Sequence, residues 1–265
     1  MKTNPGNNPK YEIKVLQKAF RLIELFDEHS TELSIAEIAD RLHYSQTTVF
    51  RIISNLEAEG YLDKDSESGK YSLGMKLFFL GTLINPHEKL LSIARPLLRR
   101  LNQESEETVH FAVLHKNQAL YLDKIESRQT VRVAASRIGH KLHAHCSGVG
   151  KVLLAYLPTQ EAKTAVEKTG LPSFTSNTIT TWEHLSEALE QIHKQGFAID
   201  DEEIEIGLNC VAAPVFFDGR AVAAISLSVP KDRFKKNVKA LTSMVVQAAG
   251  AVSDALQRSI KVSTT

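Results

Sequence analysis

The stretch Ser34-Ile35-Ala36-Glu37-Ile38-Ala39-Asp40-Arg41-Leu42-His43-Tyr44-Ser45-Gln46-Thr47-Thr48-Val49-Phe50-Arg51-Ile52-Ile53 decides the fold of the first part of this chain. Ser34 with Glu37 three residues later is the capping-box pattern, in which side chain and backbone satisfy each other's free groups at a helix start. It predicts a short helix from about Ile35 to Leu42. His43-Tyr44 makes a tight break. Ser45 then caps a further helix that carries Val49, Ile52, Ile53 and Leu56 on one side. Opposite them lie Thr47, Thr48, Arg51, Ser54 and Asn55. A capped short helix, a tight turn and a second helix make a helix-turn-helix.

The flanks extend the pattern. Ile13, Leu16, Ala19, Phe20, Ile23 and Phe26 recur at helical spacing ahead of it. Gly60 ends the third helix, as expected just past a helix C-terminus. Tyr61–Lys64 and Lys70–Leu73 flank a polar turn and read as a hairpin, the wing of a winged helix. Residues 1–10, rich in Asn, Pro and Gly, read as a flexible tail. Residues 11–73 are then the winged helix-turn-helix domain, and residues 74–87 an apolar linker helix interrupted at Asn85-Pro86.

Residues 88–260 read as a second, α+β domain. A helix spans about Glu88 to Glu104, with Pro96 kinking it or marking its true start. Strand-like runs follow at Val109–Leu114, Ala119–Ile125 and Thr130–Ala135. Helical patterns cover Gly148–Leu157, Gln160–Lys168 and His184–Lys194. Later strands are Phe197–Asp200, Cys210–Phe217 and Ala221–Val229. Asp218-Gly219 joins the last two as a tight hairpin. Val238, Leu241, Val245, Ala248, Val252 and Leu256 mark a long C-terminal helix.

Composition narrows the classes of function. The 265 residues are 43% apolar and 24% charged, which is ordinary globular usage. Two cysteines cannot build a disulfide framework, so a reducing, cytoplasmic setting is expected. Residues 1–10 carry no signal-peptide pattern, and no apolar run reaches the ~18 residues of a membrane span. The formal net charge of +1 points neither to nucleic acid nor to a membrane surface.

The polar face of the third helix has the chemistry to read a major groove: Arg for guanine or phosphate, Asn or Gln for adenine, Thr for bases or methyls. Thr47, Thr48 and Arg51 are the expected base-reading residues, Gln46 and Asn55 flanking contacts, and Lys70 on the wing a phosphate contact. Ser45 positions the helix. Residues 1–73 nevertheless hold nine Lys/Arg against twelve Asp/Glu, a net of −3. The electrostatic contribution per subunit is therefore small, and two copies on a palindromic operator would raise the affinity. Winged helices also serve as protein-interaction modules, and salt-dependent binding to duplex DNA separates the two readings.

Taken in order, these motifs resemble a known family. Leu33–Ala39, Ser45–Ile53, Glu59-Gly60-Tyr61-Leu62 and Tyr71-Ser72-Leu73-Gly74 are similar to the isocitrate-lyase-regulator (IclR) family of bacterial transcription factors. So are Ser136-Arg137-Ile138-Gly139, Cys146–Ala155, Asp201-Glu202-Glu203 through Gly207–Cys210, and Ala212–Val215. The resemblance runs from about Lys14 to Ala255. It implies a winged helix joined by a linker helix to a GAF-like α/β effector-binding domain, in homodimers or homotetramers. The implied function is a repressor controlled by a small organic acid: a sugar, keto or aromatic acid.

Candidate ligand groups lie in the second half. Ser147-Gly148-Val149-Gly150 opens a helix, where backbone N–H groups and the dipole favour an anion. Ser226 and Ser228 are two apart and face the same side of their strand. By the resemblance, Gly148, Val149, Asp200, Cys210, Ser226 and Ser228 would line the effector pocket. A competing reading has His143, His145 and Cys146 as zinc-type donors, giving a zinc sensor attached to an interaction module, although their spacing matches no standard zinc pattern. Nothing supports an enzyme or a cofactor. There is no Gly-x-Ser-x-Gly, and Ser147–Lys151 followed by Val152 falls short of a phosphate-binding loop.

Overall fold

The computed structural model describes residues 13–27, 30–83, 87–129 and 136–261. The expected tail over residues 1–10, the break at Asn85-Pro86 and the strand Thr130–Ala135 lie outside the described residues. The chain divides into two compact units, residues 1–86 and 87–265.

The first unit holds α1 (Lys14–Ile23), α2 (Ile35–Leu42), α3 (Gln46–Ala58), the hairpin β1 (Leu62–Lys64) and β2 (Tyr71–Leu73), and α4 (Met75–Leu83). The capping box forms: Ser34 Oγ accepts from Glu37 N–H, and Glu37 accepts from Ser34 N–H. His43 closes α2 in the left-handed conformation, and Ser45 caps α3 by accepting from Thr48 N–H. Such caps contribute ~1 kcal/mol each. Leu22, Leu33, Ile38, Val49, Ile53 and Leu62 form the buried core, so the apolar stripe of each helix points inward. The result is a winged helix-turn-helix. Gly60 and Gly74 meet at the base of the wing, where a methyl on Gly74 would lie 2.3 Å from the Gly60 carbonyl oxygen.

The second unit is an α+β sandwich. Its elements are α5 (Glu88–Ser105), β3 (Thr108–His115), β4 (Gln118–Ile125), β5 (Lys141–His143), α6 (Gly148–Ala155), α7 (Thr159–Thr169), α8 (Trp182–Gln195), β6 (Ala198–Asp201), β7 (Leu208–Phe217), β8 (Arg220–Pro230) and α9 (Lys231–Lys261). Pro96 lies inside α5, so it does not mark the helix start. The strand β5 was not expected from the sequence; three residues are too few to show alternation. The strands form one antiparallel sheet in the order β5-β4-β3-β8-β7-β6. Asp218 and Gly219 both adopt positive φ at the β7–β8 turn, the conformation a two-residue hairpin of matching twist demands.

The two faces of this sheet differ in side-chain size. One carries Val109, Phe111, Val211, Val215, Ile225, Leu227 and Val229, packed under α5 and α9. The other carries Ala112, Ala119, Ala198, Ala212 and Ala224, packed under α6, α7 and α8. Because strand side chains alternate, the same small-residue face also bears His110, Asp200, Cys210, Ser226 and Ser228. Small and polar groups fill less space than the large aliphatics of the opposite face, and a cavity remains there.

Candidate functional site

The cavity measures about 80 Å³ and lies between that face of the sheet and the start of α6. An ordered water needs ~10–15 Å³ on this scale, so the space takes a small molecule. All six sequence-selected residues, Gly148, Val149, Asp200, Cys210, Ser226 and Ser228, line it, joined by His110, Tyr121, Ser136 and His140. Strand register explains the convergence. Asp200 pairs with Cys210, Cys210 with Ser228, and Ser226 with both Ala212 and His110.

The start of α6 closes the cavity. Ser147 Oγ accepts from Gly150 N–H at 3.2 Å. A methyl on Gly148 would lie 3.4 Å from Ala212 Cβ, 3.7 Å from Cys210 Cβ and 3.8 Å from Asp200 Cβ, so this helix end sits on β6 and β7. Gly150 is held to glycine by contact: a methyl there would lie 2.4 Å from Ala144 Cα. The first turn of a helix presents N–H groups and a positive dipole end, which suits an anion.

A hydrogen-bonded chain runs across the cavity floor. His110 Nε2 meets Ser136 Oγ at 2.6 Å, His110 Nδ1 meets Ser228 Oγ at 3.3 Å, and Ser228 Oγ meets Cys210 Sγ at 3.0 Å. Burial drives the His110 pKa down to about 3, with the Lys124 charge adding to the effect, so the imidazole is neutral. Burial pushes the Cys210 thiol well up, and Asp200 pushes it further. Neither group supplies charge to a ligand.

Asp200 is a titratable carboxyl in the site. Its Oδ1 accepts from Glu203 N–H at 2.9 Å. Burial raises its pKa to about 7, opposed by the Lys151 ammonium and reinforced by the Glu203 carboxylate. Lys151 and Glu203 form a buried ion pair, and Lys151 also donates to the Ile199 carbonyl at 2.8 Å. The neighbouring Asp201 is exposed and accepts instead from the Asn209 amide.

The zinc-type candidates do not come together as a ligand set. The His143 and His145 rings stand edge to face at 5.6 Å, with Phe174 against both. The Cys146 thiol points to the His143 carbonyl, and burial pushes its pKa to about 12. Among the described residues no group of three or more His, Cys, Asp or Glu is placed to hold a metal.

In the first unit, Gln46, Thr47, Arg51 and Asn55 are exposed along α3. Thr48 is half-buried, and its hydroxyl lies 2.9 Å from Ser45 Oγ, so it belongs to the cap as much as to the outer face. The Asn55 amide donates to the Arg51 carbonyl at 2.6 Å. Thr48, Arg51 and Asn55 border a groove against α1. Lys70 is half-buried on the wing near Glu37. Phe50, more than half exposed beside this face, was missed by the sequence reading; its place in the helical repeat, off the apolar stripe, is the signal that could have found it. His110 and Tyr121 were missed because only the β3–β8 and β3–β4 register brings them to the cavity.

The comparisons agree over both units. Residues 15–66 match the model of the IclR helix-turn-helix domain, and residues 85–254 that of the bacterial transcriptional regulator IclR C-terminal domain. The HTH-type transcriptional regulator XynR of Escherichia coli (strain K12) is 35% identical over 92% of this chain and 97% of its own. The transcriptional repressor IclR of the same organism is 32% identical over 91% and 89%. Among solved structures, an IclR homolog from Microbacterium hydrocarbonoxydans, complexed with 4-hydroxybenzoate, matches with a TM-score of 0.80 and 26% identity, over 92% of this chain and 99% of that one.

Proposed function

The chain belongs to the IclR family of bacterial transcription regulators, and from that premise we propose that it is a repressor released or retained on its operator by a small organic acid. Its relatives are transcription regulators, not enzymes. It is a DNA-binding regulator that responds to a small molecule. The finer reading, an acid as the effector, rests on the cavity. One observation carries it: a helix N-terminus and the Ser226 and Ser228 hydroxyls face one small cavity. That arrangement provides hydrogen-bond donors for a carboxylate, and the described residues that line it include no Lys or Arg.

On the DNA side, Thr47 and Arg51 are the base-reading residues, Ser45 and Thr48 fix the helix start, and Gln46, Asn55 and Lys70 supply flanking contacts. A domain with a net charge of −3 over residues 1–73 gains little from phosphate attraction. Two copies on a palindromic site compensate. The surface that would join them is apolar: Met75, Phe78, Phe79, Leu80 and Leu83 are exposed on α4. Exposed apolar clusters of this kind mark association surfaces. Action on DNA places the protein in the cytoplasm. No helix among the described residues is long and apolar enough to cross a membrane.

The test is a melting-temperature screen of the full chain against sugar acids, keto acids and aromatic acids, with zinc as a separate arm. A ligand specific to the folded state stabilises it by ~2.7 kcal/mol at a hundredfold excess over Kd. A shift confined to one class of acid supports the reading. A shift with zinc and with no acid overturns it.

A further inference from the structure

We propose that Phe50 is a specificity residue of α3, one that packs on the C5-methyl group of a thymine in the operator. The proposal rests on the reading of α3 as the helix that enters the major groove, and it adds an apolar contact to that helix.

Helical spacing sets Phe50 among the residues assigned to the groove. Thr47, Phe50, Arg51 and Ser54 follow one another at the three- and four-residue intervals of a single helix face. Val49, Ile52 and Ile53 are the residues that α3 buries, and they belong to the core with Leu22, Leu33 and Ile38. Phe50 has no place in that core: it is 53% exposed and lies outside the cluster. It is also near the start of the helix, which begins at Gln46. Helical side chains lean toward the N-terminal turn, so the ring leans over the turn that carries Gln46 and Thr47. That end of a recognition helix is the one that reaches base edges.

Chemistry then selects the target. Gln46, Thr47, Arg51 and Asn55, exposed around Phe50, all carry hydrogen-bonding groups suited to the nitrogen and oxygen atoms of base edges. A phenyl ring offers no such group. Of what the base pairs present in the major groove, the thymine methyl is the apolar part. Covering it with the ring removes apolar surface of both partners from water. Residues 1–73 carry a net charge of −3, so phosphate attraction supplies little and contacts to the bases must supply more.

The experiment uses the full chain and a duplex that it selects from a random library. Each thymine of the site is replaced in turn by deoxyuridine, which removes the methyl and keeps the base pair and its hydrogen-bonding edge. Affinities are read by fluorescence anisotropy. At least one replacement should weaken wild-type binding about fourfold, the worth of roughly one buried methyl group. Phe50→Ala should bind the thymine duplex more weakly than the wild type and should no longer distinguish it from the deoxyuridine duplex. Its melting temperature should match the wild type, because the side chain lies outside the core. Phe50→Gln, closer in bulk, repeats the comparison should the alanine variant fold poorly. A site in which no thymine methyl matters, or a preference that survives loss of the ring, overturns the role of Phe50. Arg51→Ala tells which reading has then failed: weakened binding keeps α3 as the reading helix. Unchanged affinity in Thr47→Ala, Phe50→Ala and Arg51→Ala alike overturns α3 as that helix and Phe50 with it.

Discussion

Asp200 and Cys210 stand directly opposite each other on β6 and β7, and Gly148 at the start of α6 packs over the pair. A buried carboxyl, a neutral thiol and a helix N-terminus thus share one corner of the cavity. The carboxyl is a group whose state changes near neutral pH.

Asp200 has a folded-state pKa of about 7, against ~3.9 in an unfolded chain. The folded protein therefore binds the proton more tightly. Its contribution to stability is fully present below about pH 4 and is lost as pH rises towards 7. Asp200→Asn removes the titration while keeping an oxygen for the Glu203 N–H. The variant should gain stability relative to the wild type between about pH 4 and 7, with the difference constant above that. Urea denaturation at a series of pH values measures it, and parallel curves would remove Asp200 as the titrating group.

Arg51 is exposed on α3, and its own backbone carbonyl is bound by the Asn55 amide. Its guanidinium is thus available to DNA without any role in the core. Arg51→Ala should weaken specific operator binding by ~1–3 kcal/mol and leave the melting temperature unchanged. Fluorescence anisotropy with a duplex selected by the protein from a random library gives the number. An unchanged affinity would take Arg51 out of the contact set.

The exposed apolar surface of α4 yields a prediction about assembly. Phe78 is 62% exposed and packs only edge-on against Phe79 among the described ring contacts, so a charge there costs the monomer little in packing. Phe78→Glu should raise the dissociation constant of the dimer, as read by analytical ultracentrifugation over a concentration series. A wild type that is already monomeric, or a variant that associates equally well, would place the contact between copies elsewhere.

Much of this was legible in the sequence, for physical reasons that can be named. The helix-turn-helix is built from local signals: the Ser34–Glu37 box, the Ser45 cap and apolar residues at helical spacing. The β7–β8 hairpin announced itself through Asp218-Gly219. Ser226 and Ser228 had to share a face because strand side chains alternate. What stayed hidden depends on contacts between residues distant along the chain. His110 reaches the cavity only because β3 pairs with β8, and Tyr121 only because a bulge at Phe111/Ala112 sets the β3–β4 register. No local pattern encodes that. Thr48 was read as part of the outer face, whereas its hydroxyl turns to Ser45 and helps to cap the helix.

The central claim is that occupancy of the cavity governs binding to DNA. The most direct test is the affinity for the selected duplex, with and without the acid that gives the largest melting shift, in wild type and in Ser226→Ala. The account predicts a change of about fivefold or more in the wild type, the usual scale of coupling between two sites. It predicts little change in Ser226→Ala, whose affinity without acid equals that of the wild type. An acid effect of the same size in both proteins, or none in the wild type, would contradict it.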